Sequence, residues 1–467
     1  MKKLLLSATV VAGLFAAPTI DSLQKQINEL QKQLKELKAK QEAQNDRYYK
    51  KVAPVVANNH VFWSYDLRSS YDLIQYKFKN GTKNTNNILS NRVTLTGVYK
   101  VNDSLKATLK LQANNIYGMN GNANIMASYD NSNWFASETP DDTNIRVKEA
   151  FFNYYFGDDG EYMFSAGRRP SVGGYPANLR EGDVPTSPVA HLVNMEFDGM
   201  SLWFKNGAFT KLSDKFEDWG TNLKFCFGRG FSPNSGKFNN LQAPYSKNDT
   251  ITDFGGFLLV PYNDGQYSVW SENIWAWNLK GYQFATVDVN GDGKVDQNDQ
   301  IMDTVGKYFG TNWIFKADGI GDGISDFLDD TKAFVSVAYT RTIPDSGKTM
   351  QGSASTKSGT SIWIGADMPA GESGRFGFNY VHGSKYYRSM TWGEDTLVGS
   401  IAATRGNAYE LYYIRPIIDH LTFGLRGTYI KYNYAGSNGF FGNSAIPNLP
   451  NYVEKATDIR AYIRYNF

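Results

Sequence analysis

The chain closes on Ile459-Arg460-Ala461-Tyr462-Ile463-Arg464-Tyr465-Asn466-Phe467, and this stretch decides the fold. Side chains on a strand point alternately to opposite faces. Ile459, Ala461, Ile463, Tyr465 and Phe467 therefore share an oily face, while Asp458, Arg460, Tyr462, Arg464 and Asn466 share a polar one. One such segment also suits a soluble antiparallel sheet; repetition along the chain is what points to a membrane barrel. The pattern does repeat. Val93, Leu95, Gly97, Tyr99 and Val101 alternate with Arg92, Thr94, Thr96, Val98 and Lys100. Beyond a tight turn at Asn102-Asp103, Leu105, Ala107, Leu109, Leu111 and Ala113 alternate with Lys106, Thr108, Lys110, Gln112 and Asn114, which reads as a hairpin. Phe376, Phe378 and Tyr380 alternate with Arg375, Gly377 and Asn379, and Leu421 to Tyr429 repeats the period of two.

Composition removes the competing classes. Lys and Arg number 48 against 46 Asp and Glu, a net charge of +2, which gives no reason to expect a nucleic-acid partner. The single cysteine, Cys226, excludes an internal disulfide framework. A mean hydropathy of −0.45 and the lack of an internal apolar run near the ~20 residues of a membrane helix exclude a helical membrane protein. Tyr (30) and Phe (29) are abundant, and both suit strands and membrane interfaces.

Lys2 and Lys3 before the apolar stretch Leu4 to Ala17 read as a secretory signal peptide over 1–17. Ile20, Leu23, Ile27, Leu30, Leu34 and Leu37 then follow a 3, 4, 3, 4, 3 spacing, which predicts a short coiled-coil helix over 18–49. A linker at 50–59 leads to a β-barrel over 60–467. Strands are predicted to begin near 61, 88, 104, 144, 161, 191, 200, 222, 254, 266, 332, 360, 374, 406, 419 and 453. That makes about 16, an even number as single-chain outer-membrane barrels have, and such a ring leaves a water-filled lumen. Short turns near Asn102-Asp103, Gly157 to Gly160, Met368 to Gly374 and Pro416 to Asp419 contrast with long polar segments near 117–142, 383–404 and 435–452. The predicted fold class is all-β: a transmembrane antiparallel barrel with a short N-terminal coiled coil.

The signal peptide, the coil, the strand-rich body and the terminal Arg464-Tyr465-Asn466-Phe467 together resemble Gram-negative outer-membrane porins that carry a periplasmic coiled coil, and a porin-like family labelled as a domain of unknown function. The resemblance implies a homotrimer in outer-membrane lipid. It also implies that Ile463, Tyr465 and Phe467 are the signal read by the barrel-assembly machinery.

On the strands quoted, the polar faces carry Arg92, Lys100, Lys106, Lys110, Arg375, Arg426, Arg460 and Arg464 against Asp458 alone, so the lumen reads as basic and favourable to anions. Charges paired with acidic loops are the alternative. The Gly- and Pro-rich segment from Gly167 to Asp183 is a candidate constriction loop, with Arg168, Arg169 and Arg180 facing Glu181 and Asp183; a plain surface loop is its alternative.

Asp288-Val289-Asn290-Gly291-Asp292-Gly293-Lys294-Val295-Asp296-Gln297-Asn298-Asp299 has oxygen ligands at loop positions 1, 3, 5, 9 and 12 with Gly at 6, the pattern that hard Ca²⁺ takes. It resembles the EF-hand-type loop of dockerin modules. That resemblance makes Asp288, Asn290, Asp292, Asp296, Asp299 and the Lys294 carbonyl the ligands of a structural Ca²⁺. Asp318, Asp322, Asp326 and Asp329 repeat the spacing more weakly, with Ile320 in place of a ligand. Both loops are assigned to one insertion, 281–331, which the threading leaves on the periplasmic side; a solvated loop of Asx turns is the alternative.

His60, His191, His382 and His420 are scattered, no zinc or phosphate-loop spacing occurs, and no enzyme site is read. The functional expectation is a channel for passive diffusion of small hydrophilic solutes, anions among them. The rival is a structural barrel that tethers or docks a cell-wall or surface partner.

Overall fold

The computed structural model describes residues 61–117, 145–196, 198–213, 215–230, 252–284, 288, 293–294, 300–321, 323–371, 373–391, 395–435 and 452–467. The stretches 1–17, 18–49 and 50–59 assigned above to signal peptide, coiled coil and linker lie outside the described residues.

From Val61 the chain forms sixteen strands: β1 (Val61–Phe78), β2 (Lys83–Lys100), β3 (Leu105–Ile116), β4 (Arg146–Phe156), β5 (Tyr162–Arg168), β6 (Asp198–Phe204), β7 (Asn222–Gly230), β8 (Thr252–Asn263), β9 (Tyr267–Phe284), β10 (Gln300–Asp318), β11 (Lys332–Pro344), β12 (Lys357–Ala370), β13 (Gly374–Gly383), β14 (Gly406–Ile418), β15 (Leu421–Tyr432) and β16 (Val453–Asn466). Each pairs antiparallel with its chain neighbours, and β1 pairs β16, so the sheet closes into a barrel with no free edge. Closure is what hydrocarbon demands, because nothing there can satisfy an exposed strand edge.

The terminal strand carries the predicted alternation. Ile459, Ile463, Tyr465 and Phe467 are 55%, 51%, 41% and 57% exposed on the outside, while Asp458, Arg460, Tyr462 and Arg464 are buried inside. Aromatic side chains gather where strands end, as in the stacked run Tyr154, Phe156 and Tyr162. This is the amphipathic rim a bilayer interface favours.

The connections are asymmetric. At the end of the barrel that holds Val61 and Phe467, here the near end, the links at 101–104, 157–161, 264–266, 371–373 and 419–420 are short, although 205–221 and 319–331 are longer. At the far end, 117–145, 169–197, 231–251, 285–299, 345–356, 384–405 and 433–452 are long, and only 79–82 is a tight turn.

The strand number agrees with expectation through two opposite errors. No strand starts at 191, where Val189, Ala190, Leu192 and Val193 are fully buried inside the lumen and read as strand only because they are apolar. The strand β10 was missed. Its inward face mixes the apolar Tyr308 and Ile314 with Asn312 and Lys316 opposite the outward Phe309, Trp313 and Phe315, so the alternation is broken in the middle of the strand. In consequence 281–331 is not one insertion. β10 divides it, leaving the first calcium motif in the far-end link 285–299 and the second at the near end, from Asp318 at the close of β10 into the link 319–331, so the two motifs do not share one side of the barrel, contrary to expectation.

Candidate functional site

The lumen is not the open water column that the ring size suggests. Two far-end links fold into it. In the first, residues 171–196, the backbone passes so close to itself that a Cβ on Gly174 would lie 1.8 Å from the Pro188 carbonyl oxygen, so only glycine fits. The second spans 384–405. They join through a short parallel bridge, Val193 with Met390, with Asn194 N donating to Met390 O at 2.7 Å and Met390 N to Leu192 O at 2.8 Å. His191, wholly buried, lies between Ser336 at 2.8 Å and Ser361 at 2.9 Å, and burial lowers its pKa to about 3. Around it Leu192, Phe254, Ile274, Tyr308, Met350 and Met390 make an apolar cluster, and a second one gathers Tyr175, Val189, Ile314, Phe334 and Trp363. The wall from β8 to β13 is therefore packed like a protein interior.

The opposite wall is charged. Arg68 on β1, Arg92 on β2, Arg426 on β15 and Arg460 and Arg464 on β16 all point inward, because they fall on the lumen parity of their strands. Two carboxylates from the inward links meet them. Asp395 accepts from Arg68 at 2.5 and 2.9 Å, from Arg92 at 2.5 Å and from Arg460 at 3.2 Å. Glu181 pairs with Arg68 and, at 3.2 Å, with Arg92. Burial alone would raise both acids, but Arg68, Arg92 and their neighbours outweigh it and hold Glu181 and Asp395 well below the usual carboxylate range. Asp183 differs: burial pushes it up despite Arg464 at 2.8 Å.

The remaining guanidiniums are matched by acids of the wall. Arg460 donates to Asp72 at 2.6 Å, Arg464 pairs with Asp66, and Arg375 pairs with Asp367. Arg426 donates to the Asp395 carbonyl at 2.9 Å and lies 3.9 Å from Glu410. Lys110 meets Glu149 at 2.6 Å. The expected basic excess is thus largely neutralised, by acids on β1, β12 and the inward links rather than by Asp458 alone.

The proposed constriction segment does fold inward, but its arginines do not face its own acids. Arg180 turns to Glu410 on β14 at 2.8 Å. Arg168 points outward and chelates Asp198 at 2.7 and 3.1 Å. Arg169 lines a pocket with Cys226 and Glu272 between the first link and β6 to β9. Asp66, Arg68, Asp72, Asp395, Glu410, Lys148 and Glu149 were absent from the sequence-derived site. The period-two run Asp66, Arg68, Ser70, Asp72 on β1 was a readable signal for the first three; nothing periodic marks Asp395.

Under the inward links two cavities remain. The larger, about 650 Å³, is lined by Asp66, Arg92, Lys110, Lys148, Glu149, Arg180, Glu181, Asp183, Asp395, Arg426 and Arg464, and reaches Tyr65, His420, Asn466 and Phe467 at the near end. The second, about 350 Å³, is lined by Lys316, Asp318, Lys332, Asp367 and Arg375. Asn178, Asp183 and Val184 border both, so one stretch of chain roofs them.

Of the calcium motifs, Asp288 and Lys294 are exposed, and Gly293 N donates to Asp288 Oδ2 at 2.8 Å, tying loop position 6 to position 1. Asn290, Asp292, Asp296, Asp299 and Asp322 lie outside the described residues. Asp318 meets Lys332 at 3.2 Å, while Asp326 and Asp329 sit in the short helix Asp326–Asp329. Among the described residues no three His, Cys, Asp or Glu side chains are gathered as a metal group.

A family model described as a protein of unknown function, DUF3373, matches residues 82–467. No curated protein matches the chain in sequence. Among solved structures it is similar to an anion-selective porin from Comamonas acidovorans, with a TM-score of 0.50 at 11% identity over 87% of this chain and 100% of the porin. OprB from Pseudomonas putida gives a TM-score of 0.49 at 12% identity, covering 90% and 97% of the two chains. OmpT, an outer-membrane protein of Vibrio cholerae, gives 0.46 at 10% identity, covering 87% and 97%. At these identities the likeness is one of fold.

Proposed function

Because the chain belongs to the DUF3373 family, for which no activity is known, we propose its role from the barrel itself: an outer-membrane channel for passive diffusion of small hydrophilic solutes. The observation that carries this is the closed ring with an apolar outside and a charged cavity of about 650 Å³ that reaches the near end. Short near-end turns and long far-end links support a periplasmic near end, as in outer-membrane barrels generally. The name of the Comamonas porin agrees with anion passage, but the cavity lining mixes Arg92, Lys110, Lys148, Arg180, Arg426 and Arg464 with Asp66, Glu149, Glu181, Asp183 and Asp395. The anion preference we assign is therefore weak. It performs no chemistry.

A signal peptide at 1–17, a periplasmic coil at 18–49 and assembly through Ile463, Tyr465 and Phe467 complete the reading. The chain associates as a trimer, and Ca²⁺ at Asp288, Asn290, Asp292, Lys294, Asp296 and Asp299 steadies the far-end link 285–299, outside the cell. A weaker site at Asp318, Asp322, Asp326 and Asp329 then faces the periplasm.

The clamp formed by Glu181 and Asp395 favours one alternative, a closed structural barrel that docks a partner. Planar-bilayer recordings of the purified protein in a KCl gradient separate the two. Stepwise conductance with a small anion-directed reversal potential supports the channel. Clear cation preference ends the anion assignment, and silence under all potentials ends the channel.

A further inference from the structure

Among the described residues, outward charge forms a continuous line in the middle of the apolar band only on β5 to β8; elsewhere Arg415 on β14 stands alone beside the near rim and Arg341 on β11 alone near the band's far edge. On β16 the first outward charge above Phe467 is Lys455, and on β15 above Leu421 it is Lys431. At about 3.4 Å per residue and ~40° of tilt, these lie roughly 26 to 31 Å above the near rim, just beyond an apolar band of about 25 Å. On β5, β6 and β7 the first outward charges are Arg168, Asp198 and Arg229. Each is only six positions from its near-rim residue, Tyr162, Phe204 or Leu223, so they sit at roughly 16 Å, about 9 Å inside that band.

These residues form an ordered line. Arg168, Asp198, Arg229 and Asp253 are successive register partners across β5, β6, β7 and β8. Arg168 chelates Asp198 at 2.7 and 3.1 Å, and Arg229 chelates Asp253 at 2.6 and 3.1 Å. Just below the line Met200, Phe225 and Phe227 are 49%, 47% and 47% exposed. Lipid tails offer these charges no hydrogen bond, and charge on the lipid face of a barrel destabilises it in proportion to depth.

We propose that this wall, β5 to β8, docks a second copy of the chain within the membrane. Copies inserted in one orientation hold every feature at one depth. The line of alternating arginine and aspartate on one copy then meets the same line on the next, and aromatic side chains meet aromatic side chains below it. Charge complementarity at matched depth favours a second copy over lipid or a water-soluble partner. Closed cyclic assemblies are the usual outcome for such contacts. The inference rests on the reading of the chain as a membrane barrel; it does not depend on conduction.

The test is cross-linking of the full chain in native outer membranes. Cys226, the only thiol in the chain, is replaced by Ser, and single cysteines are introduced as Met200→Cys, Phe227→Cys, Leu425→Cys or Ile459→Cys. A flexible, membrane-permeant bismaleimide should link copies through Met200→Cys and Phe227→Cys at least tenfold more than through Leu425→Cys and Ile459→Cys on the far side of the ring. Heat-modifiable gel migration checks that each barrel is folded. Arg229→Asp in the Met200→Cys background should cut the cross-linked fraction at least tenfold with that migration retained. Equal yields at all four positions overturn the proposal. So does no cross-link at Met200→Cys and Phe227→Cys, the result if residues 18–59 or 231–251 of the same chain cover the wall, or lipid does. A monomer that conducts refutes the interface alone, and a cross-linked oligomer without conductance refutes the channel alone.

Discussion

Asp395→Asn is the perturbation that best tests how the lumen is held. Asp395 joins one inward link to Arg68, Arg92 and Arg460, and it shares Arg68 and Arg92 with Glu181 from the other link. Breaking a buried ion pair by removing one partner costs about 3 to 5 kcal/mol, because the other charge is left uncompensated. Three features reduce that figure here. The Asp395 side chain is 23% exposed, Asn keeps one acceptor oxygen, and Glu181 and Asp72 still hold the arginines. We expect about 2 to 3 kcal/mol, which is roughly a 30- to 150-fold shift of the link away from its docked position, at ~1.4 kcal/mol per factor of ten. Single-channel recording should then show larger or longer openings, and the reversal potential should move toward anions as guanidinium charge is uncovered. Asp395→Glu, which keeps the charge, should stay near wild type in selectivity. If Asp395→Asn leaves conductance, selectivity and urea stability unchanged, the carboxylate does not hold the link and the clamp is a bystander.

His191 sets a pH dependence. Burial lowers its pKa to about 3 from 6.5, so between those values the unfolded chain takes up a proton that the folded one refuses, and stability falls as pH falls through that window. His191→Asn should flatten the difference, which reaches up to roughly 5 kcal/mol at the acid end and vanishes above pH 6.5; unfolding in denaturant at several pH values measures it, and parallel curves for both proteins would contradict it. The Asp395 and Glu181 pKa values are depressed, so both acids stay ionised in the folded chain and their hold on the inward links should persist from pH 8 to about 4, read as unchanged gating in single-channel records over that range. Gly174→Ala drives a methyl against the Pro188 carbonyl and should displace the first link, seen as raised conductance with the barrel's heat-modifiable migration intact. Calorimetric titration of the whole protein with Ca²⁺ should release heat that Asp288→Asn with Asp292→Asn removes, and no heat at millimolar metal would dismiss the site.

What the sequence disclosed follows from solvent. Where one face meets lipid and the other meets water or ions, as on β2, β3 and β16, the period of two is plain and the strands were located within a few residues. Where the lumen is packed, the code fails. β10 faces lipid with Trp313 and Phe315, and its inward face sets the apolar Tyr308 and Ile314 among Asn312 and Lys316, so the alternation is broken where the strand meets the packed links. The run Val189 to Val193 reads as strand for the same reason: burial without alternation has no address. The charged wall was half legible, because Arg92, Arg426, Arg460 and Arg464 sit on clean strands, whereas their partner Asp395 comes from a link that carries no period at all.

The seam between the first and last strands repays one more thought. Arg460 reaches Asp72 across 388 residues of chain, and Arg464 reaches Asp66 across 398. Those contacts exist only once β16 is in hand, and until then β1 and β15 each keep a bare margin that oil cannot tolerate. Synthesis that halts early thus yields nothing able to rest in the membrane, so the architecture inspects its own completeness before it is allowed to stay.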